Sequence, residues 1–189
     1  MWSETEPLWS DGWLRDARAV PSPNFGPRPA DTAVSLAVIH SISLPPGEYG
    51  GPEIEQLFTN QLDWDAHPYF QSIRGLEVSS HFFIRRDGSF WQFVSCDDRA
   101  WHAGASQYKG QSNCNDNSVG IELEGLEGET FEDALCFAFG TMGTSVMFTG
   151  SALAIELARQ AVAGASISLV GVPETFGRGV AYGEALTDN

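Results

Sequence analysis

The stretch LAVIHSISLPPGEYGG, residues 36–51, decides how the rest of the chain is read. Its apolar first part is a buried strand by composition, and the run delivers one histidine, His40, to the point where the chain breaks into a Pro- and Gly-rich loop. A strand ending on a histidine can hold a metal ligand at the mouth of a cleft. It can equally be a satisfied histidine at a strand end, and the local sequence leaves both readings open. Beyond the loop, PEIEQLF (52–58) puts Pro52 at a first helical turn and Ile54, Leu57 and Phe58 at helical spacing, so a short helix follows.

Before this stretch, residues 1–33 mix Trp, Pro, Asp and Arg with little periodicity. The run PSPNFGPRP (21–29) has too many prolines to pair centrally in a sheet, and it reads as an extended arm over the domain. After it, DWDAHPYFQSIRG carries His67 just before a proline, where the backbone is biased to extended and the histidine reads as structural. HFFIRRDGSFWQFV places aromatic and polar residues on both sides of Asp87-Gly88, a dipeptide suited to a tight hairpin, so two paired strands are expected. His81 opens the first of them and reads as a packing or capping residue. Trp101, His102, Ala103 and Gly104 form a small-residue turn with an aromatic and an imidazole side by side; it lines a pocket or forms a packing corner. SVGIEL (118–123) reads as a buried strand that carries Glu122 in an apolar setting, where a carboxylate needs a metal, a cation, a proton or a hydrogen-bond network.

The 189 residues suffice for one sizeable core, or for one domain with an appended piece of another. Acidic residues outnumber basic ones 25 to 10, a formal net charge of −15, which argues against nucleic-acid or anionic-membrane partners. The first residues lack the basic and apolar regions of a signal peptide, and no apolar run approaches the roughly 20 residues of a spanning helix. A cytoplasmic location is therefore expected. Cys96, Cys114 and Cys136 are odd in number and lack CxxC spacing, so each is expected to be a reduced, partly buried thiol.

The composition changes near residues 130–145. From 131 to 189 there is no histidine or lysine, and Arg159 and Arg178 are the only arginines. SALAIELARQAVA (151–163) has helix formers and an apolar stripe, and SISLVGV (166–172) reads as a buried strand after it. Two portions are expected, 1–129 and a divergent 130–189.

Over 1–129 the motifs VPSPNFGPRP, VIHSISLPPGEYGGPEIEQLF, HPYF, SSHFFIRRDGSFWQFV, WHAG and CNDNSVGIELEG run in order, and the chain resembles the zinc amidases that cleave N-acetylmuramoyl-L-alanine bonds in anhydro-muropeptides. The resemblance implies an α/β fold, a mixed sheet flanked by helices, of the type shared with peptidoglycan-recognition proteins. It also implies zinc, with His40 as a ligand and Glu122 as the catalytic carboxylate. Such a zinc ion lowers the pKa of its water to roughly 7 and polarises the amide carbonyl, while the carboxylate manages the proton. Trp101 and His102 would line the muropeptide pocket. Asn115 would contact substrate or, with Asp116, brace the loop before the catalytic strand. Muropeptides are the only expected partners of a monomeric chain.

The same resemblance exposes departures. The family takes a second histidine and an aspartate from a C-terminal segment of the form G-H-x-x-I-A-P-x-R-K-x-D-P-G, which residues 130–189 do not contain. Residues 148–186 resemble instead the start of FAD/NAD(P)-binding proteins, with Ser145 and Met147 where the first glycines of the dinucleotide fingerprint belong, so no dinucleotide binding is expected. Impaired hydrolysis is expected, with a non-catalytic muropeptide-binding module or a non-functional fusion or frameshift product as the alternatives.

Overall fold

A computed structural model describes residues 9–126 and the backbone of Ser168–Gly171. The N-terminal arm runs through four short strands, β1 (Trp9–Ser10), β2 (Trp13–Leu14), β3 (Arg18–Ala19) and β4 (Phe25–Pro27). It pairs only in pieces of two or three residues, and the prolines of 21–29 hold β4 to three. Polar side chains hold it down: buried Gln92 accepts from the Leu14 amide at 2.7 Å and donates to the Gly12 carbonyl at 2.8 Å, and the Asn24 carboxamide donates to the Val78 carbonyl at 2.8 Å.

β5 (Leu36–Ile42) follows, two residues longer than a strand stopping at His40, because Ile42 still buries its side chain in the core. Helix α1 (Glu53–Phe58) has Pro52 at its N-cap and buries Ile54, Leu57 and Phe58. Helix α2 (Pro68–Ser72) is capped by His67, whose Nδ1 accepts the Tyr69 amide at 3.1 Å, so this histidine is structural as its sequence context suggests. β6 (Phe82–Ile84) and β7 (Phe90–Gln92) pair antiparallel. Their turn closes through Gly88 N–H to Arg85 C=O and Arg85 N–H to Ser89 C=O, with Gly88 at φ +81°, the left-handed position a three-residue hairpin loop gives to glycine. β8 (Asp98–Ala100) pairs with β4. The β9 (Gln107–Tyr108) and β10 (Gln111–Ser112) hairpin and a 3₁₀ turn (Cys114–Asn117) lead into β11 (Ser118–Glu124).

The central sheet is mixed, in the order β12-β5-β11-β6-β7-β3, where β12 is Ser168–Gly171. β12 and β11 both run parallel to β5, so the described part, Ser168–Gly171, of the strand read at 166–172 joins the same sheet as His40. The helix read at 151–163 lies outside the described residues.

Side chains alternate across a strand, and parallel neighbours in register share a face. Ile42, Phe83, Trp91 and Phe93 turn one way and pack with Ile54, Leu57, Phe58 and Phe70 of the two helices. Phe82, Ile84, Val119, Ile121 and Leu123 turn the other way and pack under Leu14. Cys96 and Cys114 are buried free thiols, and burial pushes Cys96 up to about 12. Among the described residues no helix is long and apolar enough to cross a membrane.

Candidate active site

The site lies on the helix-bearing face, where β5 and β11 run side by side. Their register puts Glu122 directly opposite His40, and the next neighbour of Glu122, on β6, is Phe83. Glu122 is 5% exposed, so this carboxylate belongs to the floor of the site and not to its rim. His40 is half-buried.

The third member arrives on a loop. His102 places its Nδ1 3.0 Å from His40 Nε2, and its Nε2 3.0 Å from Ser118 Oγ. Its ring stands edge-on to His40, centroids 5.3 Å apart, and to His81, 5.8 Å apart. The loop is fixed from below: the Asn115 carboxamide oxygen accepts from the His102 amide at 3.1 Å and the Ala103 amide at 2.8 Å. The Trp101 amide donates to Ser79 Oγ at 3.0 Å, which leaves the half-buried indole next to the imidazole pair in sequence. Asn115 itself is 5% exposed, and in this structure its oxygen is occupied with holding the loop.

Burial lowers His40 to about 4. His102 is also held well below the usual imidazole range, first by burial and then by the neighbouring His40, His81, Arg28 and Arg99. Both rings are neutral at pH 7, and one proton is shared along the His40 Nε2–His102 Nδ1 line. His81 is fully buried, and its state follows from its partners. Gly120 N–H can only donate, so His81 Nδ1 accepts it at 3.0 Å; the proton is on Nε2, which donates to the Asp98 carbonyl at 3.1 Å. Burial and the Arg28 charge push His81 down to about 3.

A catalytic zinc centre takes three protein ligands and a water. Among the described residues no three His, Cys, Asp or Glu side chains are grouped to hold a metal ion. Both nitrogens of the other two imidazoles here are already hydrogen-bonded, those of His102 to His40 and Ser118 and those of His81 to Gly120 and Asp98. Among the described residues, therefore, the donor set does not fit a three-ligand zinc site.

Three residues of this architecture went unread in the sequence. Ser118 supplies the His102 contact, and Arg28 and Gly120 shape its seat. The glycine inside VGIEL was the available signal, since glycine in a strand interior often marks a close approach by another group.

The sequence model of the family described as N-acetylmuramoyl-L-alanine amidase matches residues 30–141. The 1,6-anhydro-N-acetylmuramyl-L-alanine amidase AmpD of Citrobacter freundii is 56% identical over 127 residues, 67% of this chain and 68% of its own length. The enzyme of the same name from Escherichia coli K12 is 55% identical over 127 residues, 67% and 69% of the two chains. Among solved structures, a crystal structure of a selenomethionine AmpD derivative superposes with a TM-score of 0.71 at 46% identity, covering 87% of this chain and 86% of that one. The mixed sheet, the His40–Glu122 register and these matches agree: the chain belongs to the N-acetylmuramoyl-L-alanine amidase family.

Proposed function

We propose that the cleft between His40, Trp101, His102 and Glu122 takes muropeptides, presenting the amide between N-acetylmuramic or 1,6-anhydro-muramic acid and L-alanine, in peptidoglycan turnover. The observation that supports this reading is the register of Glu122 opposite His40 on adjacent parallel strands. A carboxylate there can take the proton of a water attacking an amide carbonyl. Zinc is the cofactor that family membership implies, with His40 as its ligand. The 189 residues hold four histidines, His40, His67, His81 and His102, and none follows His102. With the donor set incomplete, hydrolysis by this chain is impaired. The chain works as a monomer in the cytoplasm and has no nucleic-acid or membrane partner; its net charge of −15 supports the exclusion of polyanions.

A specific observation favours the binding reading over full turnover: His40 Nε2 is hydrogen-bonded to His102 Nδ1. The test is calorimetric titration of the whole chain with a 1,6-anhydro-muramoyl-L-alanyl peptide, alongside an assay for release of the peptide. Saturable binding with little or no release is the expected result. Absence of binding would overturn the substrate class, and rapid release would overturn the impairment.

A further inference from the structure

Arg28 sits in the proline-rich arm between Pro27 and Pro29, where the following proline biases its backbone to extended. A guanidinium has five N–H groups. All five are used, and each donation ends on a main-chain carbonyl. Nε donates to Cys96 at 3.3 Å and Nη2 to Cys96 at 3.1 Å and Ser118 at 2.9 Å; Nη1 donates to Asn115 at 3.3 Å and Asp116 at 2.9 Å. The short Arg28 Nη2–His81 Nε2 approach of 3.2 Å is then a contact between two donors and not a bond, consistent with the His81 tautomer fixed by Gly120.

Three of these four carbonyls, those of Asn115, Asp116 and Ser118, belong to the segment that governs His102. Asn115 accepts from the His102 and Ala103 amides through its side chain, and Ser118 meets the far ring nitrogen of His102 through its hydroxyl. Backbone carbonyls at the end of a 3₁₀ turn have no partners within the turn, and buried they must find donors outside it. One planar fork satisfies three residues of this segment and ties them to Cys96 in the turn between β7 and β8. A lysine ammonium, with three donors at a point, cannot span them.

We infer that Arg28 is a positioning residue for the imidazole pair: it sets residues 115–118 so that Asn115 and Ser118 fix the orientation of His102 against His40. The functional weight of this inference rests on the reading of the cleft as a muropeptide site, so its test reads His102 itself and neither binding nor turnover.

The full-length chain, labelled with ¹⁵N, is compared with Arg28→Lys by imidazole ¹⁵N spectra and amide exchange at pH 7. The expected result is that the His102 ring shifts move toward the tautomer average and the His102 and Ala103 amides exchange at least about tenfold faster, while the remote cap His67 is unchanged. Unchanged His102 shifts and exchange in the folded variant would overturn the inference. If Arg28→Lys does not fold, the unmodified chain decides: across a mild urea series, Arg28 Nε–H and the His102 and Ala103 amides must open with the same urea dependence. An Arg28 Nε–H that exchanges freely while both amides stay protected would overturn it equally.

Discussion

Gly120 lies flat beneath the His102 imidazole: a Cβ placed on it would stand 2.4 Å from His102 Cγ and 2.6 Å from its Nδ1 and Cδ2. The seat of His102 is thus shaped by the absence of a side chain on Gly120. Three contacts depend on that close approach, since the same ring meets His40, Ser118 and, edge-on, His81.

Gly120→Ala is expected to expel His102 from its seat. The cost is that of overpacking a filled core, about 1–3 kcal/mol, and His102 moves away from His40. Urea denaturation gives the stability change, and muropeptide titration should show weakened binding in the folded fraction. A variant with unchanged stability and unchanged affinity would show that the ring does not need this seat.

Asn115→Ala removes the acceptor shared by the His102 and Ala103 amides. Leaving partly buried donors without a partner costs about 1–3 kcal/mol, and the loss should be local. Hydrogen exchange is expected to speed up at these two amides with little change in β5 and β6. Uniform acceleration throughout the sheet would mean that Asn115 holds the whole fold and not the loop.

The buried imidazoles make stability depend on pH. His81 takes its proton near pH 3 when folded and near about 6.5 when unfolded, so between these values the unfolded chain binds more protons. The stabilisation is complete above about pH 6.5 and is lost progressively as pH falls toward 3. His40 and His102 are shifted the same way and steepen the fall. Urea midpoints measured from pH 7 down to pH 4 should decline, and His81→Gln should decline less steeply than the parent chain. An equal slope in both would remove His81 from the account.

Glu124 joins two loops to β11. Its carboxylate, 2% exposed, accepts the Gly50 amide at 2.7 Å and the Arg86 amide at 2.9 Å, with Arg85 Nε 3.9 Å away. Gln at this position keeps the shape but turns one acceptor into a donor and leaves Arg85 without its charge partner, at a cost of about 2–4 kcal/mol. Thermal and urea unfolding of Glu124→Gln measure this directly, and a change within experimental error would contradict it.

The elements that sequence made legible are the local ones. Apolar runs marked β5 and β11, Asp87-Gly88 marked the hairpin, and Ile54, Leu57 and Phe58 marked α1, because period and turn chemistry are properties of neighbouring residues. The parallel pairing that puts Glu122 opposite His40 joins positions far apart in the chain, and only the ordered family motifs implied it. Arg28 escaped notice for a physical reason: its partners are backbone carbonyls, which carry no residue identity for a sequence to display. Asn115 showed its composition but not its direction, and its oxygen points into the loop. Glu124 was hidden behind Glu122, two positions away on the same face of the same strand.

His40 is held in an imidazole pair with His102 and, among the described residues, lacks the companions of a zinc centre. Calorimetric titration of zinc into the full-length chain at pH 7, with metal content measured after dialysis, tests it most directly. Weak binding, with no stoichiometric zinc retained, is the expected result. One tightly held zinc ion per chain, lost on His40→Ala and accompanied by rapid cleavage of a muramoyl-L-alanine substrate, would contradict it.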